Sequence, residues 1–178
     1  TSALTGPFDV IKIPPTSTHT DWEVELGVVI GKTCYGVSET DALDYVAGYF
    51  TANDVSERTF QKHRSGQWIK GKSSPTFAPI GPYLVTADQI PDPQNLAVKT
   101  TVNGKVMQDS NTDDMIFSVK TIISKLSEYM ELRVGDVIIT GTPEGVGAGI
   151  KPKPQFLRAG DKIEVEVEGL GAQKMDVV

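Results

Sequence analysis

The sequence predicts a single α+β domain in which β-strands dominate. Several short segments alternate apolar and polar residues, as strands with one buried face do. The clearest helical period, at 116–130, is accompanied by only one or two further helix candidates. The length of 178 residues suits one domain with a substantial core.

The first part of the chain is expected to hold one long strand between irregular segments. A loop rich in Pro, Thr and Ser runs to Thr20, and the strand follows at 22–32, where acids alternate with apolar residues. Segment 41–49 starts with a capping residue and fits a helix, although its aromatic and β-branched residues equally suit a strand. A short helix is expected at 56–63 and a loop of mixed charge at 66–74.

The middle of the chain predicts short strands and one tight hairpin. Segment 77–85 is broken by two prolines and a glycine, so we expect irregular strands there. Segment 97–103 alternates apolar and polar residues and ends at Asn103-Gly104, which is a strong hairpin signal. The return strand is expected from 106.

The last part of the chain predicts the main helix and two more strands. Apolar residues recur at helical spacing in 116–130 and are expected to lie in the core: Ile116, Val119, Ile122, Ile123, Leu126 and Met130. Segment 137–140 is wholly apolar until its last residue and predicts a buried strand. Segment 163–167 alternates with glutamates and predicts an antiparallel strand with one wet face.

Composition excludes some classes of protein. The net charge is -6 and the acids are dispersed, which argues against a nucleic-acid partner because such a partner requires a basic face. No apolar run reaches the length of a membrane span, and no signal peptide is visible. The single cysteine, Cys34, cannot form an internal disulfide, so we expect an inert packed thiol in a cytoplasmic protein.

An acid-x-acid pair at the start of the long strand is the most informative feature for function. Side chains two apart on a strand point to the same face, so Glu23 and Glu25 project together, opposite Trp22, Val24 and Leu26. Such a pair is common on the solvated face of a strand. That solvated face is the more frequent case, but hard cations such as Mg²⁺ prefer carboxylate oxygens, so the pair also suggests a metal site.

Two further charged residues fit a site around these glutamates. Asp54 follows the apolar stretch 45–50 and is well placed to complete a coordination set, although an N-cap is an equal reading. Lys72, if it reached the carboxylates, would balance their charge and could polarise a carbonyl or enolate oxygen. We expect Lys70 to lie in solvent.

A basic and an amide side chain share one face of the short helix expected at 56–63. Arg58 and Gln61 are three residues apart. Near a metal site, Arg58 could bind a substrate carboxylate through its bidentate fork; otherwise it would form a surface ion pair. We treat His19 and His63 as surface residues.

A glycine-rich segment, 141–147, follows the strand expected at 137–140. Glycines after a strand let backbone N–H groups approach an anion, and Thr142 adds a hydroxyl. The segment lacks the Gly-Lys-Ser/Thr ending of a P-loop, and such turns are often ordinary connections.

Five blocks of this sequence, in order and in register, resemble the fumarylacetoacetate hydrolase family. The blocks are Asp21–Leu26, Asn53–Arg58, Gly71–Ser73, Asn103-Gly104 with Gln108–Phe117, and Gly135-Asp136 through Gly141–Gly147. The likeness holds from Ser2 to Val178. It implies a β-rich α+β fold around a rolled mixed sheet, usually a homodimer.

The resemblance also implies a metal site and an oxo-acid site. It implies Mg²⁺ or Mn²⁺ held by three carboxylates, which map onto Glu23, Glu25 and Asp54. The residues implied to act on or bind substrate are Lys72, Thr142 with Gly141 beside it, Arg58 and Gln61. Reactions in the family share a 2-oxo or 1,3-dioxo acid that chelates the metal and forms an enolate. Outcomes include C–C hydrolysis, decarboxylation, isomerisation, hydration and lyase chemistry.

The resemblance leaves three readings of the activity open. The first is a Mg²⁺-dependent hydrolase that cleaves a C–C bond in an acylpyruvate or fumarylpyruvate and serves aromatic catabolism. The others are a decarboxylase, isomerase or hydratase, and a metal-binding dimeric module without catalysis.

Many members carry a lid segment, with a His that activates water, upstream of the region where this chain starts. We expect a single catalytic domain over 1–178 without that lid. Thr59 also departs from the acid that members often have.

Overall fold

The structure is a computed structural model and describes residues 2–178. The strands, numbered in chain order, are β1 Leu4–Thr5, β2 Thr20–Asp21, β3 Val24–Ile30, β4 Val46–Asn53, β5 Ser56–Glu57, β6 Ala78–Pro79, β7 Val85–Thr86, β8 Ala97–Val102, β9 Lys105–Asn111, β10 Val137–Ile139, β11 Lys162–Val167 and β12 Gly171–Asp176. The α-helices are α1 Arg58–Lys62, α2 Ile69–Lys72 and α3 Val119–Tyr129. Short 3-10 helices lie at Ala42–Tyr45, Ala87–Gln89, Thr112–Asp114 and Gly147–Gly149. The prediction of an α+β fold rich in strands is confirmed.

Two antiparallel sheets enclose most of the core. One has the order β10-β3-β4-β7 and the other β12-β11-β8-β9. They pack together where β11 approaches β3 and β4, and apolar side chains of these strands fill the space between them. Parallel pairing joins β1 to β6 and Ile11 to Val177, so the pairing in residues 2–178 is mixed. None of the helices in this range combines the length and apolar character that crossing a bilayer requires.

The long strand and the hairpin follow the sequence prediction closely. β3 lies within the segment expected to be a strand, and Trp22, Val24 and Leu26 are buried. β8 and β9 are joined by Asn103-Gly104, whose φ angles of 52° and 77° are those of a turn that matches the twist of a hairpin.

The main helix is shorter than its apolar pattern suggests. Ser118 caps α3 by accepting a hydrogen bond from the Thr121 N–H, so Ile116 lies before the helix. Met130 is the C-cap and has extended backbone. Ile116 is 91% exposed and Met130 is 51% exposed, so the prediction that they lie in the core is wrong. Val119 and Ile123 do lie in the core, and Ile122 and Leu126 pack against it half-buried.

Several smaller predictions also need correction. β10 is an edge strand with only one covered face, so Ile138 is buried whereas Val137 and Ile139 are exposed. The segment expected as a loop at 66–74 contains α2. Segment 41–49, which fitted either a helix or a strand, contains both, because a 3-10 helix leads directly into β4. The helix expected at 56–63 begins at Arg58, after the two residues of β5.

Candidate metal centre

Three carboxylates converge where β3 begins and β4 ends. Glu23 and Glu25 project from the same face of the β3 segment, and Asp54 follows the last residue of β4. The Asp54 N–H donates to the Glu23 carbonyl oxygen at 2.9 Å, which fixes the two residues side by side. One oxygen from each of Glu23, Glu25 and Asp54 lies within 4.8 Å of the others. The N-cap of α1 is Glu57, so the N-cap reading of Asp54 is wrong.

Burial makes ionisation of the carboxylates in this cluster unfavourable. Glu23 and Glu25 are buried and Asp54 is half-buried. Burial, followed by the negative charges of Asp54 and Glu23, raises the pKa of Glu25 well above its ordinary value. Burial also raises the pKa of Asp54, although the Lys72 ammonium opposes this shift. The site therefore favours any cation that can enter it.

Lys72 reaches the cluster from α2. Its Nζ lies 2.6 Å from Glu23 Oε2 and 2.5 Å from Asp54 Oδ2. Close packing of α2 on α1 puts it there: a Cβ at Gly71 would lie 2.6 Å from Gln61 Cβ and 2.7 Å from the Glu57 carbonyl oxygen. Glycine at this position lets the lysine approach two carboxylates. Lys70 is exposed, as predicted.

Arg58 forms a buried ion-pair network, so the reading of a surface ion pair is wrong. Its Nε donates to Asp21 Oδ2 at 2.8 Å. Its Nη1 donates to Glu23 Oε1 at 2.6 Å and to Gln61 Oε1 at 3.2 Å. Arg58 and Gln61 are both buried, and Nη2 is a buried donor without a partner in residues 2–178.

The glycine-rich segment gives its backbone donors to the protein's own carboxylates. The Gly141 N–H donates to Glu25 Oε2 at 2.7 Å. The N–H groups of Gly147 and Ala148 donate to Asp21 Oδ1 and Oδ2, at 2.6 and 3.0 Å. The segment thus binds anions, as its composition indicates, but these anions belong to the same chain.

Thr142 is oriented by a residue that the sequence analysis did not single out, Gln108. The buried Gln108 Nε2 donates to Thr142 Oγ1 at 2.7 Å and to the Pro143 carbonyl oxygen at 3.1 Å. Its Oε1 accepts from the Val24 N–H and the Thr100 hydroxyl. Because Thr142 Oγ1 accepts this hydrogen bond, its own proton stays available for another acceptor.

Asp21 is the second residue that the sequence analysis did not assign to a role. It is fully buried and holds Arg58, Gly147 and Ala148 together. The only sequence feature that marks either residue is a polar side chain in or next to a segment expected to be a strand. Asp21 precedes the Trp22-Glu23 run, and Gln108 lies in the return strand of the hairpin. Polarity alone does not identify a partner far away in the chain.

The donor set fits a hard divalent cation. Four carboxylates, those of Asp21, Glu23, Glu25 and Asp54, face two cationic side chains, those of Arg58 and Lys72. With all six ionised, two negative charges remain in excess. All-oxygen ligands suit Mg²⁺ and Mn²⁺ equally.

A cavity of about 350 Å³ opens beside the cluster. Its lining includes Glu25, Gly141 and Thr142. Its apolar lining includes Met115, Ile116 and Phe117, from the segment before α3. The cavity is thus adjacent both to a candidate metal ligand and to a hydroxyl donor.

The two histidines and the cysteine lie away from the carboxylates. His63 is exposed, as predicted. His19 is half-buried and packs edge-on against Phe156, with ring centroids 4.6 Å apart, so it is less exposed than predicted. Cys34 is a buried free thiol whose pKa is raised by burial, which agrees with an inert packed thiol.

Comparisons with known proteins agree with this geometry. The family model described as fumarylacetoacetate (FAA) hydrolase C-terminal matches residues 1–178. A 2,4-didehydro-3-deoxy-L-rhamnonate hydrolase of Sphingomonas sp. (strain SKA58) is 56% identical over 176 residues, which are 99% of this chain and 62% of that protein. The chain thus spans about three fifths of the length of the curated relatives it matches.

Solved structures show the same fold. The fumarylacetoacetate hydrolase from psychrophilic Exiguobacterium antarcticum matches with a TM-score of 0.95 and 42% identity, over 99% of this chain and 63% of that one. The 2-hydroxyhepta-2,4-diene-1,7-dioate isomerase from Mycobacterium marinum matches with a TM-score of 0.89 and 40% identity, over 99% of this chain and 66% of that one.

We expect Glu25→Gln to raise the free energy of unfolding of the metal-free protein at neutral pH. Because the pKa of Glu25 is raised in the folded state, that state binds more protons than the unfolded state once the pH exceeds the ordinary glutamate value of about 4.3. Stability therefore falls as pH rises from that value towards the raised pKa, and glutamine does not ionise. Denaturant unfolding with a chelator, between about pH 4 and about pH 8, should show a gain that grows with pH.

The matched control for this prediction is Glu166→Gln, which removes an exposed carboxylate on β11. It should produce no gain that grows with pH. A gain for Glu25→Gln that stayed constant across the pH range would contradict the assignment of a charge penalty to Glu25.

Proposed function

The chain belongs to the fumarylacetoacetate hydrolase family, and from that premise we propose that it binds Mg²⁺ or Mn²⁺ and hydrolyses a C–C bond in a small oxo acid. The substrate class is a 1,3-dioxo or 2-oxo acid of the acylpyruvate or fumarylpyruvate type. The observation that carries the proposal is the convergence of Glu23, Glu25 and Asp54 within 4.8 Å, in a cluster whose carboxylates outnumber the cationic side chains that contact them. The family likeness inferred from five sequence blocks is confirmed.

The proposed metal ligands are the carboxylates of Glu23, Glu25 and Asp54. When bound, a dication supplies Lewis acidity to the oxo and carboxylate oxygens of the substrate. The chain itself fixes the ligands: Gly141 holds one oxygen of Glu25, and Arg58 holds one oxygen of Glu23. Fixed ligands lower the cost of reorganisation when a cation binds.

Lys72 and Thr142 are the proposed catalytic side chains. The Lys72 ammonium already lies against two carboxylates of the cluster, so it can donate to an oxygen on which negative charge develops. Thr142 accepts from Gln108 and retains its own proton for the oxo-acid end of a substrate. Gly141 positions this loop, while Arg58 and Gln61 are proposed to contact substrate from α1.

The second reading is a decarboxylase, isomerase or hydratase on the same residues. It is supported by the solved relative named as an isomerase, and isomerisation or decarboxylation needs no base that activates water. The hydrolase reading is supported by the relatives named as hydrolases. The third reading is a metal-binding dimeric module without catalysis.

We further propose a role in the catabolism of aromatic-ring fragments and a cytoplasmic location, the latter supported by the single free thiol.

We also propose that the chain forms a homodimer through one apolar face. Large apolar side chains are exposed around the edge strand β10 and both ends of α3: Ile116, Phe117, Tyr129, Met130, Val134, Val137 and Ile139. An edge strand that carries apolar side chains on its open face favours contact with another chain. A second copy of this chain is the proposed partner.

Glu23→Ala and Asp54→Ala are each expected to abolish Mg²⁺ binding. Each change removes both a ligand and a negative charge from a three-carboxylate site. Isothermal titration with MgCl₂ measures the effect. The matched control is Glu128→Ala, an acid on the outer surface of α3, which should bind as the unchanged protein does. Unaltered Mg²⁺ affinity in both cluster variants would rule out the site.

Turnover of an acylpyruvate, compared with turnover of oxaloacetate, tests the reaction. We expect Mg²⁺-dependent release of pyruvate from the acylpyruvate at a rate at least about tenfold above that for oxaloacetate, because hydrolysis is the leading reading. Faster loss of CO₂ from oxaloacetate would instead favour the decarboxylase reading. Micromolar metal binding without turnover of either compound would favour the non-catalytic module.

Val137→Glu is expected to convert the dimer to a monomer. The substitution places a charge on the exposed face of β10, where a partner would have to desolvate it. Sedimentation velocity reads the mass. Val106→Glu, at another exposed apolar position on β9, is the control and should leave the dimer intact. A Val137→Glu protein that stays dimeric would show that the dimer interface does not include this face of β10.

A further inference from the structure

We infer that Asp21 is a positioning residue that limits Arg58 to one oxygen of Glu23 and so leaves the other oxygen for the cation. The inference rests on the proposed metal site. It concerns a carboxylate that is not itself one of the three proposed ligands.

Asp21 is held rigidly by backbone donors on two sides. Its Oδ1 accepts from the Trp22 N–H at 2.9 Å and from the Gly147 N–H at 2.6 Å. Its Oδ2 accepts from the Ala148 N–H at 3.0 Å and from Arg58 Nε at 2.8 Å. The side chain is fully buried, so water does not compete for these contacts.

The loop can approach Asp21 this closely because residue 147 is glycine. A Cβ at Gly147 would lie 2.7 Å from Asp21 Oδ1 and 1.9 Å from the Gln155 carbonyl oxygen. The carboxylate therefore has a fixed orientation before Arg58 binds to it. Arg58 has to adapt to Asp21.

The contact with Asp21 determines how Arg58 meets Glu23. Because Nε is bound to Asp21, the guanidinium presents only Nη1 to Glu23 Oε1, and Nη2 has no partner within the described part of the chain. Glu23 Oε2 is then not engaged by Arg58; in this structure it accepts from the Lys72 ammonium, and it is the oxygen left for a cation.

Removal of the Asp21 charge should change this geometry. A buried guanidinium with an unpartnered Nη2 gains a hydrogen bond if it turns both Nη atoms onto one carboxylate, which is the preferred fork geometry of arginine. Glu23 is the carboxylate already in contact with it. A bidentate Arg58–Glu23 pair would occupy both oxygens of Glu23 and compete with the metal.

A double-mutant cycle tests whether Asp21 acts through Arg58. Mg²⁺ affinity is measured by calorimetry, on the full chain, for the unchanged protein, Asp21→Asn, Arg58→Gln and the double variant. We expect Asp21→Asn alone to weaken Mg²⁺ binding at least about tenfold, but to change it less than about threefold when Arg58 is already Gln. A loss of charge acting directly on the metal would instead cost the same factor in both backgrounds, and that result would overturn the inference.

Glu57→Gln is the matched control for a merely structural effect. Glu57 is also a fully buried carboxylate that accepts from backbone N–H groups, those of His19 and Phe60, but its side chain does not contact the Arg58 guanidinium. We expect lower thermal stability and unchanged Mg²⁺ affinity. If Asp21→Asn does not fold, Asp21→Ser takes its place in the cycle.

A crystal structure of the Asp21→Asn protein separates this inference from the proposed function. Absence of Mg²⁺ binding in the unchanged protein would overturn the metal site itself. In that case the position of Arg58 still decides the inference: both Nη atoms on Glu23 would support it, and a guanidinium that has not moved would overturn it.

Discussion

The structure depends on a concentration of buried negative charge at the start of β3. Asp21, Glu23 and Glu25 lie within five residues of one another, and the fold adds Asp54 from the end of β4. Like charges repel strongly in a region that water does not screen. Their burial is therefore possible only if cations or backbone donors compensate for them, and both are present around the cluster.

The compensation is unequal, and this inequality divides the carboxylates by role. Asp21 receives three backbone N–H groups and the Arg58 Nε, so its charge is well satisfied. Glu25 receives one backbone N–H, and its pKa is raised because burial and its acidic neighbours are not offset. A cation gains most where the donors are fewest. Glu25 is thus better suited to bind a metal, and Asp21 is better suited to hold the protein in place.

Sequence alone predicted the features that depend on local periodicity. The alternation of β3 placed Glu23 and Glu25 on one face, and Asn103-Gly104 marked the hairpin. The failures have a different physical origin. Helical spacing placed Ile116 and Met130 in the core, but the cap at Ser118 and the end of α3 leave both exposed.

Long-range contacts were equally beyond the sequence analysis. The buried acceptor for the glycine-rich loop, Asp21, lies about 126 residues away in the chain from Gly147, and Gln108 joins β3 to that loop through contacts that no local pattern shows. Asp21 acts on the candidate ligand Glu23 through Arg58, and Gln108 orients Thr142. The wall formed by Met115, Ile116 and Phe117 has a different character, because it precedes the cap of α3 and two of its three side chains are exposed. A cluster fixed by buried contacts is compatible with one shared chemistry, whereas a wall that makes none of these hydrogen bonds can vary without disturbing it. Relatives with the same fold are named as hydrolases and as an isomerase, and this separation of a fixed charge centre from an adaptable wall is the physical arrangement that would allow both.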